Sequence, residues 1–122
     1  MDNLELNINI TGFSAEIKPV IRQDNIKAFV TWIFQTESGV VKVYGGTIRE
    51  KPFGERSKLI LSYDPPAIKT GRGYIKTMFI EDKQLFKTLC DYTINEYCKL
   101  TGEVRGILSV EDVNMDEIPA NL

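Results

Sequence analysis

Residues 74–102, "YIKTMFIEDKQLFKTLCDYTINEYCKLTG", contain the change of period that decides the fold. Up to Ile80 the run reads as a strand, 74–80. From Glu81 onward, Leu85, Phe86, Leu89, Cys90, Thr93, Ile94, Tyr97 and Cys98 recur at spacings of three and four, the pattern of an amphipathic helix. We place this helix over 82–100, about five turns. Glu81 and Asp82 at its start and Lys99 near its end suit the helix dipole, and Thr101-Gly102 is a stop signal.

Everything upstream reads at a period of two. Residues 4–10, "LELNINI", put Leu4, Leu6, Ile8 and Ile10 on one face, and Thr11-Gly12 breaks the run. Residues 15–22 resume as an edge or bulged strand, since Pro19 cannot donate to a ladder. The strongest strand is 26–35, with Ala28, Val30, Trp32 and Phe34 on one face and Phe29 and Ile33 on the other. Both faces need cover there, one by the helix and the other by a partner subunit. "TESG" turns the chain, 40–49 returns, and Gly45-Gly46 marks a bulge or a close backbone approach. Residues 50–57 read as a polar loop, 58–63 as another strand, and 64–74, "DPPAIKTGRGY", as a hairpin connection. The expected fold is α+β: an antiparallel sheet of about five strands, then a C-terminal amphipathic helix packed on it. We read one domain over 1–122, with its core at about 15–100 and an acidic tail at 103–122 holding at most one short strand or turn.

Composition narrows the chemistry. The longest apolar runs are too short to span a bilayer, and the N-terminus lacks the pattern of a signal peptide, so the expectation is a cytoplasmic protein without membrane association. Cys90 and Cys98 fit no metal or redox spacing and read as structural thiols. The chain has no histidine, which excludes Ser-His and Cys-His hydrolysis within it, and no paired carboxylates suggest themselves for acid–base work. Asp91 and Glu96, five apart, read as a solvated helix face. We therefore expect no enzyme, cofactor, metal site or small-molecule substrate.

Charge is distributed unevenly. The net charge is −2, yet residues 42–76 carry eight basic residues against three acidic ones. Those bases are Lys42, Arg49, Lys51, Arg56, Lys58, Lys69, Arg72 and Lys76. A basic middle between acidic ends allows a local phosphate-binding patch, although on composition alone a normally solvated surface is the plainer reading. "AIKTGRG" is neither a Walker A loop nor a dinucleotide fingerprint, because a strand rather than a helix follows it. Its glycines allow an anion nest flanked by Lys69 and Arg72, with Lys76 a further point charge. Trp32, Tyr44, Phe53, Tyr63 and Tyr74 are the aromatics near the basic strands that could stack bases, although Trp32 and Phe34 read as core.

The ordered set "IKAFVTWIF", "GVVKVYGGTIR", "LILSYDPPAIKTGRG" and "NEYCKL" resembles the SpoVG family, the stage V sporulation protein G or septation-regulator family, from about residue 16 to 100. The chain looks like a divergent member. It adds about 14 residues at the N-terminus, carries an apparent insertion at 50–57, and has "DPPAIK" where the family runs from Pro-Ser directly into a basic residue. The resemblance implies a small dimer that binds DNA or RNA without catalysis. By motif position it assigns binding to Lys69 and Arg72, with Lys76 adjacent; Lys42, Arg49, Arg56 and Lys58 are weaker contributors. The alternative is a protein–protein interaction module, phage- or mobile-element-borne, using the tail at 103–117 or a sheet edge.

Overall fold

The computed structural model describes residues 3–53 and 58–103. It is α+β. Strands β1 (Ile10–Pro19), β2 (Ile26–Thr36), β3 (Gly39–Phe53) and β4 (Lys58–Asp64) form an antiparallel sheet in that order. Strands β5 (Ala67–Thr70) and β6 (Gly73–Lys76) form a second, two-stranded sheet. The single helix among the described residues, α1 (Lys83–Thr101), packs on the four-stranded sheet and touches both of its edge strands, β1 and β4.

The core lies where the two periods meet. Ala28, Val30 and Trp32 from β2, Ile48 from β3, and Leu61 and Tyr63 from β4 face Leu89, Ile94, Tyr97 and Cys98 of the helix. Trp32 is fully buried and stacks on Tyr63 with ring centroids 4.2 Å apart. Its indole N–H donates to Thr93 Oγ1 at 2.9 Å, and that hydroxyl donates in turn to the Leu89 carbonyl at 2.7 Å. A buried Trp needs such a partner, and a buried Thr in a helix tolerates burial by bonding one turn back. The helix begins at Asp82, whose carboxylate accepts the Leu85 N–H at 3.0 Å. It ends at Gly102, in the left-handed region at φ 74, whose N–H returns to the Cys98 carbonyl.

The expected bulge at Gly45-Gly46 is present: the β2–β3 register slips between Val30 and Trp32, with Gly45 at φ 90. Gly46 has a steric reason as well. A Cβ there would lie 2.7 Å from Cζ of Tyr63, inside the ring that stacks on Trp32. The backbone approach anticipated from the glycine pair is therefore onto an aromatic ring.

Several boundaries differ from expectation. Residues 3–9 form no strand; β1 starts at Ile10 and runs through Thr11-Gly12 with a register irregularity between Ile10 and Gly12, ending at Pro19 rather than continuing to 22. Strand β3 continues past Arg49 to Phe53, so the loop placed at 50–57 is in part sheet. Because β2 starts at Ile26, opposite Arg49, the end of β3 pairs among the described residues only with β4, which is where Pro52 is tolerated. The strand placed at 74–80 stops at Lys76; Met78 and Ile80 instead tuck against the core. The connection at 64–74 is itself a hairpin, β5–β6. The tail beyond Glu103 lies outside the described residues.

A candidate nucleic-acid interface

The face of β3 opposite the core carries Thr47, Arg49 and Lys51, alternating with the buried Ile48. After β4 the chain turns at Pro65-Pro66, and the β5–β6 hairpin folds back over that face. Both the backbone N–H and the hydroxyl of Thr77 donate to the Pro66 carbonyl, at 2.9 and 3.2 Å, and pin the base of the hairpin. Between β3 and the hairpin lies a cleft of about 510 Å³, lined by Thr47, Arg49, Lys51, Asp64, Tyr74 and Lys76 together with Gly45, Pro65 and Ala67.

The pairing of the hairpin sorts its side chains. Ala67 is opposite Lys76 and Lys69 opposite Tyr74, so these four share one face, the face on the cleft side. Ile68 and Ile75 pair on the other face, each 56% exposed. Arg72 sits in the turn, whose shape is set by Thr70: its hydroxyl accepts the Arg72 N–H at 3.2 Å and donates to the Gly73 carbonyl at 2.9 Å.

Asp64 organises the opposite wall. Its two oxygens take one cation each, Lys51 Nζ at 2.6 Å and Arg49 Nε at 3.2 Å. Arg49 Nε also donates to Thr47 Oγ1 at 3.2 Å. These pairs are part-exposed and contribute little to stability, roughly 0–1 kcal/mol each. They do hold two long basic side chains along one wall, which lowers the entropy lost when a ligand engages them. Lys69, Arg72 and Lys76 form no ion pair among the described residues.

The seven basic residues assigned to binding from the sequence therefore divide. Arg49 and Lys76 meet at the cleft, Lys69 lies on the same hairpin face, and Arg72 is at the hairpin tip. Lys42 is exposed beyond the Gly45 bulge, opposite Ile33, and does not line the cleft. Arg56 and the Lys58 side chain lie outside the described residues. The sequence reading counted Lys51 in the basic segment without assigning it to binding, and passed over Thr47 and Asp64. Lys51 is two residues after Arg49 and shares its face once β3 is allowed to continue, so the available signal was the Thr47-Arg49-Lys51 alternation. Among the candidate stacking aromatics, Trp32 and Tyr63 are core, Tyr44 is exposed beside the bulge, and Tyr74 lines the cleft at 75% exposure.

No described helix is long and apolar enough to cross a membrane. Among the described residues no group of three or more His, Cys, Asp and Glu side chains could hold a metal. The Cys90 thiol is pushed up to about 12, chiefly by burial and then by the charges of Asp91 and Asp64, which does not favour a reactive thiolate. No family model, curated protein or solved structure matches the chain.

Proposed function

We propose that this protein is a non-enzymatic, cytoplasmic, nucleic-acid-binding regulator of the SpoVG type, acting as a homodimer. The observation that carries the reading is the convergence of Lys76, Arg49 and Lys51 around one cleft, with Lys69 on the same hairpin face, from a stretch singled out by its charge. Lys76 and Lys69 meet the phosphates as unpaired point charges, and Arg72 at the hairpin tip extends the track. The dimer is carried by the family resemblance and the compartment by the short apolar runs of the sequence; the half-exposed Phe29 on the outer face of β2 is consistent with a subunit contact.

The test is binding of labelled DNA and RNA by the wild type and by Lys69→Ala/Arg72→Ala across a salt series. The double variant is expected to bind more weakly and to lose roughly 1.4–1.8 units of log–log salt slope, 0.7–0.9 per phosphate contact. Equal affinity and slope would remove the hairpin from the interface. No binding at low salt would remove the function.

A protein–protein interaction module is the second reading. It has one observation in its favour, the exposed Ile68–Ile75 pair on the outer side of the hairpin with Phe79 exposed beyond it. Recovery of a protein partner and no nucleic acid in a pull-down would favour it.

A further inference from the structure

We infer that the cleft between β3 and the β5–β6 hairpin receives an unpaired nucleobase with its flanking phosphates, so that the ligand of this site is single-stranded nucleic acid and not duplex. The inference rests on the nucleic-acid reading above and specifies what that site recognises.

Tyr74 carries the first part of the argument. It stands on a short strand whose base and turn are both hydrogen-bonded, and no ring or cation contact is formed on it among the described residues. A large aromatic side chain left three-quarters exposed inside a cation-lined cleft is a stacking platform with a free face. In a duplex each base is already stacked and paired, so it has no face to offer a tyrosine set into a cleft wall. An unpaired base has one.

The walls carry the second part. Lys76 lies on the same strand as Tyr74, and Lys69 lies directly across from it. Arg49 and Lys51, oriented by Asp64, face them from β3. A strand with its base on Tyr74 thus has cations on both sides for the phosphates before and after that base. The volume, about 510 Å³, falls in the range of small-ligand sites, roughly 300–1,000 Å³, and suits a nucleotide.

The orientation of the hairpin carries the third part. A two-stranded ribbon can enter the major groove of a duplex. Here, however, the Lys69–Tyr74–Lys76 face turns inward to the cleft, and the outward face presents Ile68 and Ile75. Those two side chains offer nothing to a phosphate backbone. Sugar identity is not read by these contacts, so DNA and RNA single strands share the chemistry.

The experiment measures filter binding of radiolabelled oligomers of about 12 nucleotides to the full chain at fixed salt. The oligomers are single-stranded DNA, single-stranded RNA, duplex DNA and an abasic deoxyribose-phosphate strand; oligoglutamate is tested as competitor. The wild type is expected to prefer one or both single strands over duplex and abasic strand by about tenfold, the two single-stranded arms reporting whether sugar matters. Tyr74→Ala should weaken single-strand binding about tenfold at unchanged salt slope and leave the duplex untouched, while Tyr74→Phe keeps the wild-type preference. Duplex or abasic strand bound as tightly as the single strands would overturn the inference and leave the nucleic-acid reading standing. Oligoglutamate competing as well as a single strand, with no dependence on Tyr74, would also overturn it. No binding of any oligonucleotide at low salt would overturn both.

Discussion

Thr36-Glu37-Ser38-Gly39 closes the β2–β3 hairpin, and Thr70-Gly71-Arg72-Gly73 closes β5–β6. In each turn the threonine hydroxyl donates to the carbonyl of the glycine three residues on, at 2.6 and 2.9 Å, and accepts the N–H two residues on, at 3.1 and 3.2 Å. The two glycines share a positive φ, 119 and 118. The local code is the same, yet one hairpin is the centre of the fold and the other is displayed on its surface. The strands differ: β2 and β3 have 11 and 15 residues with a buried apolar face, whereas β5 and β6 have four residues each and bury almost nothing. The tips differ as well, Glu37-Ser38 in one and Gly71-Arg72 in the other. Turn chemistry reverses the chain; burial on the flanking strands decides whether the reversal supports the core or presents a surface.

The sharpest way to break this comparison is to delete one aromatic from each hairpin. Trp32→Ala is expected to cost about 3–5 kcal/mol in chemical denaturation, because it empties the stack on Tyr63 and leaves the Thr93 hydroxyl without its donor. Tyr74→Ala should stay within about 0.5 kcal/mol of wild type. A large stability loss at Tyr74 would mean that the second hairpin belongs to the core.

A finer contrast uses the matched glycines. A Cβ at Gly39 or Gly73 would meet nothing within 4 Å, so an alanine there introduces backbone strain alone, about 1 kcal/mol or more. Gly39→Ala should lower global stability by that amount, since it closes the two central strands. Gly73→Ala should leave global stability unchanged and speed hydrogen exchange at residues 67–76, because a two-stranded sheet is marginal by itself. Equal global losses would show the two hairpins to be one cooperative unit.

The smallest effect is invisible at neutral pH. Burial raises the Tyr63 phenol and pushes the Cys90 thiol up to about 12 from 9.0. The unfolded chain therefore releases these protons first as pH climbs. Stability from the thiol is intact below about pH 9 and drains away between there and about pH 12. Cys90→Ala should flatten the thiol part of that decline in denaturation midpoints taken from neutral to alkaline pH, and Cys90→Ser should flatten it likewise.

The parts legible in the sequence are those where local pattern and tertiary context agree. Strand β2 was expected at 26–35 and spans Ile26–Thr36; the helix was expected at 82–100 and spans Lys83–Thr101. Segment 4–10 has an equally clean alternation, but β2 ends at Thr36, opposite Ile10, so among the described residues no neighbouring strand remains for the residues before it. Pro52 reads as a loop signal and was overridden by a position with a strand on one side only. That override hid the place of Lys51 on the same strand face as Arg49, and with it one wall of the cleft. Linear charge found the basic segment. It could not find Asp64 as the group orienting two of those bases, since the Lys51–Asp64 contact spans 13 residues and exists only once β3 and β4 pair.

Trp32 is the only tryptophan in the chain, fully buried between the sheet and the helix, while the cleft lies on the other side of β3. Its intrinsic fluorescence is therefore a private signal of the helix–sheet contact. Emission should move to the red when α1 lifts from the sheet and hold its wavelength when a ligand fills the cleft, so one unlabelled sample separates loss of structure from occupancy.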